Sequence, residues 1–318
     1  MSKPNNDLFQ TSKKNWLKRE RAWQQEMLTK SRVVATKNGL MEYAMIGDGP
    51  VVMAVHGMPG GFDQGIFGFD WIANAGFRLL APSRPGYLGT PLSTGKTYPE
   101  AADAYASMLD KLGIDKVSVV SISGGGPSSY QFAIRHQDRI NAFVPIDSIV
   151  LRTAMPADFG KLASALYFSS TGQKLMGYTA KHFPGKVLHG LIKSNSVLTS
   201  EEIEEQVNYA LSKPTQLSMM YRIISSMSNY SRRKDGVEND IAQFTRLNDL
   251  PLEKITCPTL IVHGTHDNLL FYQAVQARDR IQQAKSLWVD KGSHFNAWIH
   301  PDASETQEQI ISFLQQHA

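Results

Sequence analysis

Short apolar runs and longer amphipathic segments alternate along much of this chain. Val51–Val55 is a continuous apolar run, which is typical of a strand covered on both faces. Thr97 and Glu100 form a capping box at the start of an amphipathic segment, and Gly113 follows its last apolar position. Alternating strands and amphipathic helices predict a mostly parallel central sheet with helices on both faces. Further strands are predicted at residues 40–45, 77–82, 117–122, 140–146, 258–262 and 286–289.

The pattern changes between residues 151 and 250. Strand signals disappear there, and helical segments rich in Met, Tyr and Phe replace them, most clearly at 201–211 and 216–229. The polar, charged run at 231–236 predicts an exposed loop. We therefore expect a helical insertion, or cap, at 151–250 within an α/β core formed by residues 37–150 and 251–318.

Residues 1–36 are predicted to form a separate helical arm. Trp16, Trp23 and Met27 recur on one helical face, among several lysines and arginines. Such a helix packs either on the body of the protein or on a partner subunit, so a homodimer is one arrangement to consider. A helix lying on a membrane surface is the alternative, although the segment carries little apolar bulk.

Composition narrows the class of protein. The chain has 318 residues, of which 42% are hydrophobic and 19% are charged, so it can bury a sizeable core. Its net charge of +4 is small for this length and does not predict nucleic-acid binding. Cys257 is the single cysteine, which fits a reducing compartment, and we expect a cytoplasmic protein. With no apolar stretch of about 18 residues and no signal-peptide core, we expect no stable membrane insertion.

The clearest chemical signal lies where a β-branched run stops at Ser123. Three glycines follow and a helical pattern then begins, which is typical of a nucleophile elbow with the serine at its apex. Residues on either side of such a turn must be small, and here they are Ser121 and Gly125. Ser121 replaces the first glycine of the usual Gly-x-Ser-x-Gly motif. By itself the motif leaves a non-catalytic glycine-rich turn or a phosphate-binding loop open, and Ser121 is an alternative nucleophile.

A catalytic serine needs a base, and the base needs an orienting acid. Asp267 and His294 each follow a predicted strand, and the carboxyl ends of parallel strands meet at one edge of the sheet. The order Ser123, Asp267, His294 is the one used by α/β-hydrolases. Asp147 also follows a predicted strand and is the alternative acid.

Acyl transfer also needs donors for the developing oxyanion. The N–H of Gly124 comes directly after the nucleophile, at the N-terminus of a predicted helix. The second donor is expected from the loop after an early strand, where the residue following His56 and Gly57 is Met58. Its neighbour Pro59 has no N–H to donate.

At this point the chain resembles the α/β-hydrolase superfamily over residues 38–318, and within it the cap-bearing esterases, epoxide hydrolases and proline iminopeptidases. The resemblance implies an α/β-hydrolase fold, with the helical insertion as its cap. It also implies a cofactor-free serine hydrolase that cleaves a small to medium carboxylic ester. Epoxide hydrolases and haloalkane dehalogenases carry aspartate at the nucleophile position, so Ser123 argues against both. The matching motifs are residues 56–60, 84–87, 121–125, 264–267 and 292–294.

Several alternatives stay open. The same triad supports an iminopeptidase, a carbon–carbon bond hydrolase or a cofactor-free perhydrolase. A ligand-binding protein without catalysis is a further alternative, although all three triad candidates are present. An iminopeptidase needs acidic cap residues, and the glutamates at 201–205 are more typical of a solvated helix face.

Some residues near these motifs have two interpretations. Met219 and Met220 are predicted to line an apolar substrate pocket, with a place in the core of the cap as the alternative. His263 and His266 near Asp267 raise the question of a metal site. The strand and loop pattern suggests no facing pair of ligands, so no metal is expected. His56 is expected to stabilise its own loop.

Overall fold

The computed structural model describes residues 6–153, 169–268 and 270–318, with side chains from Trp16 onward. This part of the chain contains an eight-stranded sheet with the order β1-β2-β4-β3-β5-β6-β7-β8. The β1–β2 and β2–β4 pairs are antiparallel and the other neighbours are parallel, which confirms the predicted mostly parallel sheet. In chain order the strands are β1 (Arg32–Thr36), β2 (Gly39–Ile46), β3 (Val51–Val55), β4 (Arg78–Pro82), β5 (Val117–Ile122), β6 (Ile140–Ile146), β7 (Leu260–Gly264) and β8 (Lys285–Val289).

Helices cover both faces of this sheet, as the sequence predicted. Those of the described residues are α1 (Asn6–Leu28), α2 (Phe62–Asn74), α3 (Tyr98–Leu112), α4 (Gly126–Arg135), α5 (Ser170–His182), α6 (Pro184–Ser194), α7 (Ser200–Ser212), α8 (Pro214–Ser226), α9 (Lys234–Phe244), α10 (Phe271–Arg280) and α11 (Ala303–Gln316). None of them is long and apolar enough to cross a membrane.

Local signals explain where α3 begins and ends. The Thr97 hydroxyl accepts a hydrogen bond from the Glu100 N–H, and the Glu100 carboxylate accepts one from the Thr97 N–H. Gly113 ends the helix with φ 67°, a left-handed conformation that glycine adopts without steric cost. The predicted bounds of this helix are therefore confirmed.

Helix α2 is not marked by the hydrophobic pattern, because Gly65 and Gly68 lower its intrinsic helix propensity. Its position explains one of these glycines. A Cβ atom added to Gly65 would lie 2.7 Å from the Cβ of Ala81, so the glycine lets the helix pack closely on β4. Tertiary packing here outweighs a weak local preference.

The core consists of two layers, one on each face of the sheet, because successive side chains of a strand point to opposite faces. Val52 and Ala54 pack in the layer that contains apolar residues of α2 and α11. Met53 and Val55 pack in the opposite layer, with residues of α3, α4 and α10. Burying a side chain the size of Val52 or Met53 stabilises the fold by about 1.5–3 kcal/mol.

The N-terminal arm packs on its own chain. Trp23 of α1 lies 5.5 Å from Phe67 of α2 between ring centroids, and the Arg222 guanidinium lies 3.8 Å from the Trp23 ring. The arm was predicted to extend to residue 36, but Arg32–Thr36 is a strand of the sheet. Backbone pairing with β2 determines this, and residues 1–5 lie outside the described part.

Helices α5–α9 occupy the predicted insertion between β6 and β7, while residues 154–168 of that insertion lie outside the described part. The exposed loop predicted at 231–236 is correct in part: Arg233 and Gly236 are buried, the other four residues are exposed, and α9 begins at Lys234. Arg233 is 2% exposed and paired with Asp63, and Gly236 contacts the Tyr87 ring so closely that an added Cβ would lie 2.3 Å from it. Burial of Arg233 depends on a carboxylate distant in sequence, which a local pattern does not reveal.

Candidate active site

Ser123 lies in the sharp turn between β5 and α4, with φ 52°. This left-handed conformation is unfavourable for a residue with a side chain and persists only where surrounding contacts hold it. Two backbone hydrogen bonds do so: the Ser123 N–H donates to the Asp147 carbonyl at 3.1 Å, and the Ser123 carbonyl accepts from Ile149 N–H at 3.0 Å. The elbow is thus held by the segment that follows β6.

The residues that flank this serine are small for the predicted reason. A Cβ atom added to Gly125 would lie 2.6 Å from the His56 carbonyl oxygen. Ser121 is fully buried and its hydroxyl lies 3.1 Å from that of Ser148, whereas Ser123 is partly exposed. Ser123 is therefore the more accessible of the two serines.

Asp267 and His294 form a hydrogen-bonded pair beyond the ends of β7 and β8. His294 Nδ1 lies 2.7 Å from Asp267 Oδ2, and both side chains are buried. Burial opposes the charged form of Asp267, but the two nearby histidines outweigh it and lower the pKa of the carboxyl. Burial likewise lowers the pKa of His294, but the Asp267 carboxylate more than compensates, so the net shift is upward.

Asp147, the alternative acid, has other partners. Its two carboxylate oxygens lie 2.7 and 2.5 Å from Nδ2 of Asn296, and Oδ1 accepts from the Gly264 N–H at 3.1 Å. The carboxylate is completely buried, which raises its pKa to about 6. The carboxylate hydrogen-bonded to His294 is that of Asp267. Asn296 was not predicted from the sequence, because it belongs to none of the matching motifs. Its position two residues after His294 is the signal that could have identified it.

His263 lies beside both carboxylates, which the sequence did not predict. Its Nε2 is 3.2 Å from Asp267 Oδ2 and 3.7 Å from Asp147 Oδ1. Ligand atoms of the three residues lie within 4.8 Å of one another, close enough to hold a metal ion. The carboxylates already accept hydrogen bonds from His294, Asn296 and backbone N–H groups, which is typical of a hydrogen-bond network. His266, whose Nδ1 is 2.9 Å from the Thr265 hydroxyl, is not part of this cluster.

The predicted oxyanion donors are neighbours. A Cβ atom added to Gly124 would lie 3.4 Å from the backbone nitrogen of Met58, and one added to Gly57 would lie 3.1 Å from Ser123 Cβ. The Gly57 N–H donates to Gln64 Oε1 at 2.7 Å. Within the described part of the chain the Met58 N–H has no acceptor, so it is free to bind an oxyanion.

Buried polar groups hold the loop at 56–60, which carries the predicted donor Met58 and which we call the oxyanion loop. His56 Nε2 accepts the Arg84 N–H at 2.8 Å, while burial and the Arg84 guanidinium hold the pKa of His56 well below its usual value. The Arg84 side chain donates to the His56 and Gly57 carbonyls and forms a buried ion pair with Asp240 of α9. Tyr87 donates to the same carboxylate. These contacts support the interpretation of His56 as a loop-stabilising residue.

A second buried ion pair lies nearby, between Arg233 and Asp63 at 2.6 Å. Arg233 also donates to the Gly60 carbonyl, so two arginines reach the oxyanion loop. Met219 and Met220 are buried in α8 within the apolar cluster that joins the insertion to α2. Their contact with substrate stays a prediction.

Known proteins resemble this chain over most of its length. The pattern of the alpha/beta hydrolase fold family matches residues 50–301. The solved structure of an alpha/beta hydrolase fold protein from Nakamurella multipartita is 32% identical, with a TM-score of 0.86 over 91% of this chain and 100% of that chain. The uncharacterized hydrolase YcgS of Bacillus subtilis (strain 168) is 26% identical over 91% of this chain and 100% of its own length.

A 2-hydroxy-6-oxononadienedioate/2-hydroxy-6-oxononatrienedioate hydrolase from Pseudomonas sp is 24% identical, over 87% of this chain and 92% of its own length. This chain belongs to the alpha/beta hydrolase family.

Proposed function

We propose that this protein is a serine hydrolase that cleaves a small to medium carboxylic ester through an acyl-enzyme. The observation that carries the proposal is the buried 2.7 Å hydrogen bond between His294 and Asp267 at the sheet edge where Ser123 occupies a left-handed turn. A merely structural turn has no need for a strained serine at the same sheet edge as a hydrogen-bonded Asp–His pair.

In this mechanism the Ser123 hydroxyl attacks the ester carbonyl while His294 Nε2 takes its proton. Asp267 holds Nδ1–H of the imidazole and stabilises the imidazolium. The N–H groups of Gly124 and Met58 bind the oxyanion. Collapse of the tetrahedral intermediate expels the alcohol, which takes the proton from His294. Water, deprotonated by the same histidine, then attacks the acyl-enzyme, and its breakdown returns the proton to Ser123 and releases the acid.

A carbon–carbon bond hydrolase is the second candidate, because the Pseudomonas relative bears that activity in its name. Its named substrates are dioates and so carry two carboxylates. Arg84 and Arg233, the arginines that reach the oxyanion loop, are each paired with a buried carboxylate, Asp240 and Asp63. Neither is free to bind a substrate carboxylate, which favours a neutral ester.

The other candidates have less support. Of the glutamates considered for an iminopeptidase, Glu201, Glu204 and Glu205 are exposed on α7, and Glu202 pairs with Lys291 at 3.0 Å. That arrangement is typical of a solvated helix face. A small-molecule ester is therefore the proposed partner, with no metal or organic cofactor in the reaction.

The test begins with a fluorophosphonate probe, which should label the wild-type protein and the Ser121→Ala variant but not Ser123→Ala. Chromogenic esters of increasing acyl length, an aminoacyl anilide and a 2-hydroxy-6-oxo-dienoate are then assayed with wild-type protein and Ser123→Ala. Ester turnover that requires Ser123 supports the proposal. Labelling that survives in Ser123→Ala, or turnover of the dienoate alone, contradicts it. Absence of both labelling and turnover would indicate a ligand-binding protein without catalysis.

A further inference from the structure

We propose that Asp147 is a positioning residue whose negative charge, fixed by Asn296 beside His263, favours the positive charge that His294 acquires during the reaction. The inference rests on the proposed function, since His294 is the base of that reaction. It assigns a second carboxylate to the site, in addition to the hydrogen-bonded Asp267. Asp147 touches neither the substrate nor the reacting atoms and acts through its neighbours.

The first argument is the cost of burying this carboxylate. Asp147 is completely buried, and an ionised carboxylate is expensive to remove from water. Its hydrogen bonds come from Asn296 and from the Gly264 N–H, and an asparagine could accept hydrogen bonds from both. Asp147 has φ 43°, a left-handed conformation that asparagine also tolerates well. Neither hydrogen bonding nor backbone shape therefore requires a charge here.

The second argument is the orientation of the Asn296 amide toward the Asp147 carboxylate. Asn296 turns its amide nitrogen toward both carboxylate oxygens, and its own Oδ1 has no partner among the described residues. An amide that gives up one hydrogen bond to hold a carboxylate stabilises the ionised form. The position of Asp147 is thus held rigidly at the end of β6.

The third argument is which groups this charge can influence. The titratable groups that face Asp147 are His263 from β7, Asp267 from the following loop and His294 from the loop after β8. His263 Nε2 lies near both carboxylates and so separates two like charges. The N–H groups of Asn296 and Gly264 favour the ionised form of Asp147. Its Oδ1 lies 3.7 Å from His263 Nε2, which is 3.2 Å from the Asp267 oxygen that pairs with His294. The negative charge therefore lies close enough to act on the His294 imidazole.

The decisive variant is Asp147→Asn, which keeps the shape and removes the charge. We expect the pH midpoint of kcat/KM for ester hydrolysis to fall by about 1 unit, because a nearby anion favours the imidazolium. Ser148→Ala is the matched control: this neighbour is buried and hydrogen-bonded to Ser121, and its loss should leave the midpoint unchanged. The double variant Asp147→Asn with Asn296→Asp retains the amide–carboxylate pair and the charge, and should return the midpoint toward that of the wild type.

A second measurement does not depend on turnover. Histidine 13C NMR in the Ser123→Ala background follows the titration of His294 directly, and its midpoint should fall in Asp147→Asn. If wild-type protein hydrolyses no ester, the proposed function fails, while the NMR titration still tests the charge effect. If Asp147→Asn does not fold, Asp147→Ser serves as the second variant without the charge, and its His294 titration is compared with that of the charge-restoring double variant. Folded variants without the charge that retain the wild-type titration of His294 would overturn the proposal.

Discussion

At the scale of single residues, the proposed chemistry depends on the hydrogen bonds and the ionisation state of the Asp267 carboxylate. Its Oδ2 lies 2.7 Å from His294 Nδ1 and 3.2 Å from His263 Nε2, and the Leu270 N–H reaches Oδ1. The hydrogen bonds from His294 and Leu270, together with the nearby His263 imidazole, keep the buried carboxylate ionised, as its lowered pKa indicates. An ionised carboxylate favours the tautomer in which Nδ1 carries the proton and Nε2 is left free to act as the proposed base.

Replacing Asp267 by Asn should therefore lower kcat for ester hydrolysis by on the order of 10⁴-fold, because the amide favours the wrong imidazole tautomer. Asp147→Asn should lower kcat far less. Both variants are purified, checked for folding by circular dichroism and assayed on one ester. A large loss in Asp147→Asn beside a mild loss in Asp267→Asn would transfer the role of orienting acid to Asp147.

The pH dependence of hydrolysis should follow His294, because only the neutral imidazole acts as a base. Since the Asp267 and Asp147 carboxylates raise the pKa of His294, the rate should increase with pH through a midpoint above about 6.5, the ordinary value for histidine. Measuring kcat/KM for ester hydrolysis between about pH 5 and 9 gives this midpoint. A flat profile, or a midpoint below the ordinary value, would contradict the assignment.

At the scale of elements, α9 and the turn before it support the oxyanion loop. Arg233 and Asp240, from the insertion, reach Asp63 and Arg84 of the core in two buried ion pairs. Both arginines also donate to carbonyls of the loop at 56–60. Docking of this part of the insertion therefore helps to fix the direction of the Met58 N–H.

Arg233→Met should lower the free energy of unfolding by about 3–5 kcal/mol, because it leaves the Asp63 carboxylate buried without its partner. It should also lower kcat by up to about 10²-fold, since a small displacement of the loop misplaces the oxyanion donor. Urea denaturation and ester kinetics measure the two effects. The double variant Arg233→Met with Asp63→Asn removes the orphan charge and should recover part of the stability. Wild-type stability in Arg233→Met would show that this ion pair is dispensable.

At the scale of the whole molecule, one guanidinium group joins three parts of the fold. Arg222 of α8 lies 2.7 Å from Glu20 of the N-terminal arm and 2.8 Å from Asp70 of α2. The same guanidinium stacks on the Trp23 ring, so Arg222 forms both ion pairs and a cation–π contact with neighbouring elements. The arm thus connects the insertion to the core.

Arg222→Met should lower the free energy of unfolding by about 3 kcal/mol, because two largely buried carboxylates lose their shared cation. Arg135→Met is the control, since Arg135 forms a comparable but more exposed pair with Asp103, for which a loss of about 0–1 kcal/mol is expected. Thermal and urea unfolding of both variants provide the comparison. Equal losses in the two variants would mean that the arm contributes no more than a surface contact.

Much of this architecture was predictable from the sequence, because its signals are local. The apolar run of β3, the capping box at Thr97 and the serine–glycine turn at Ser123 each depend on a few adjacent residues. The order of Ser123, Asp267 and His294 after predicted strands was enough to anticipate that the last two would meet, because parallel strands end at one edge.

Tertiary structure alone decided the partners of the buried charges. Arg233 and Asp63 are 170 residues apart, and Arg84 and Asp240 are 156 apart, so no local pattern distinguishes these arginines from solvated ones. The choice between Asp267 and Asp147 as the partner of His294 likewise depended on where Asn296 places its amide. Hydrophobic periodicity reports which face of an element is buried, whereas the pairing of buried charges depends on distances between side chains that only the folded chain brings together.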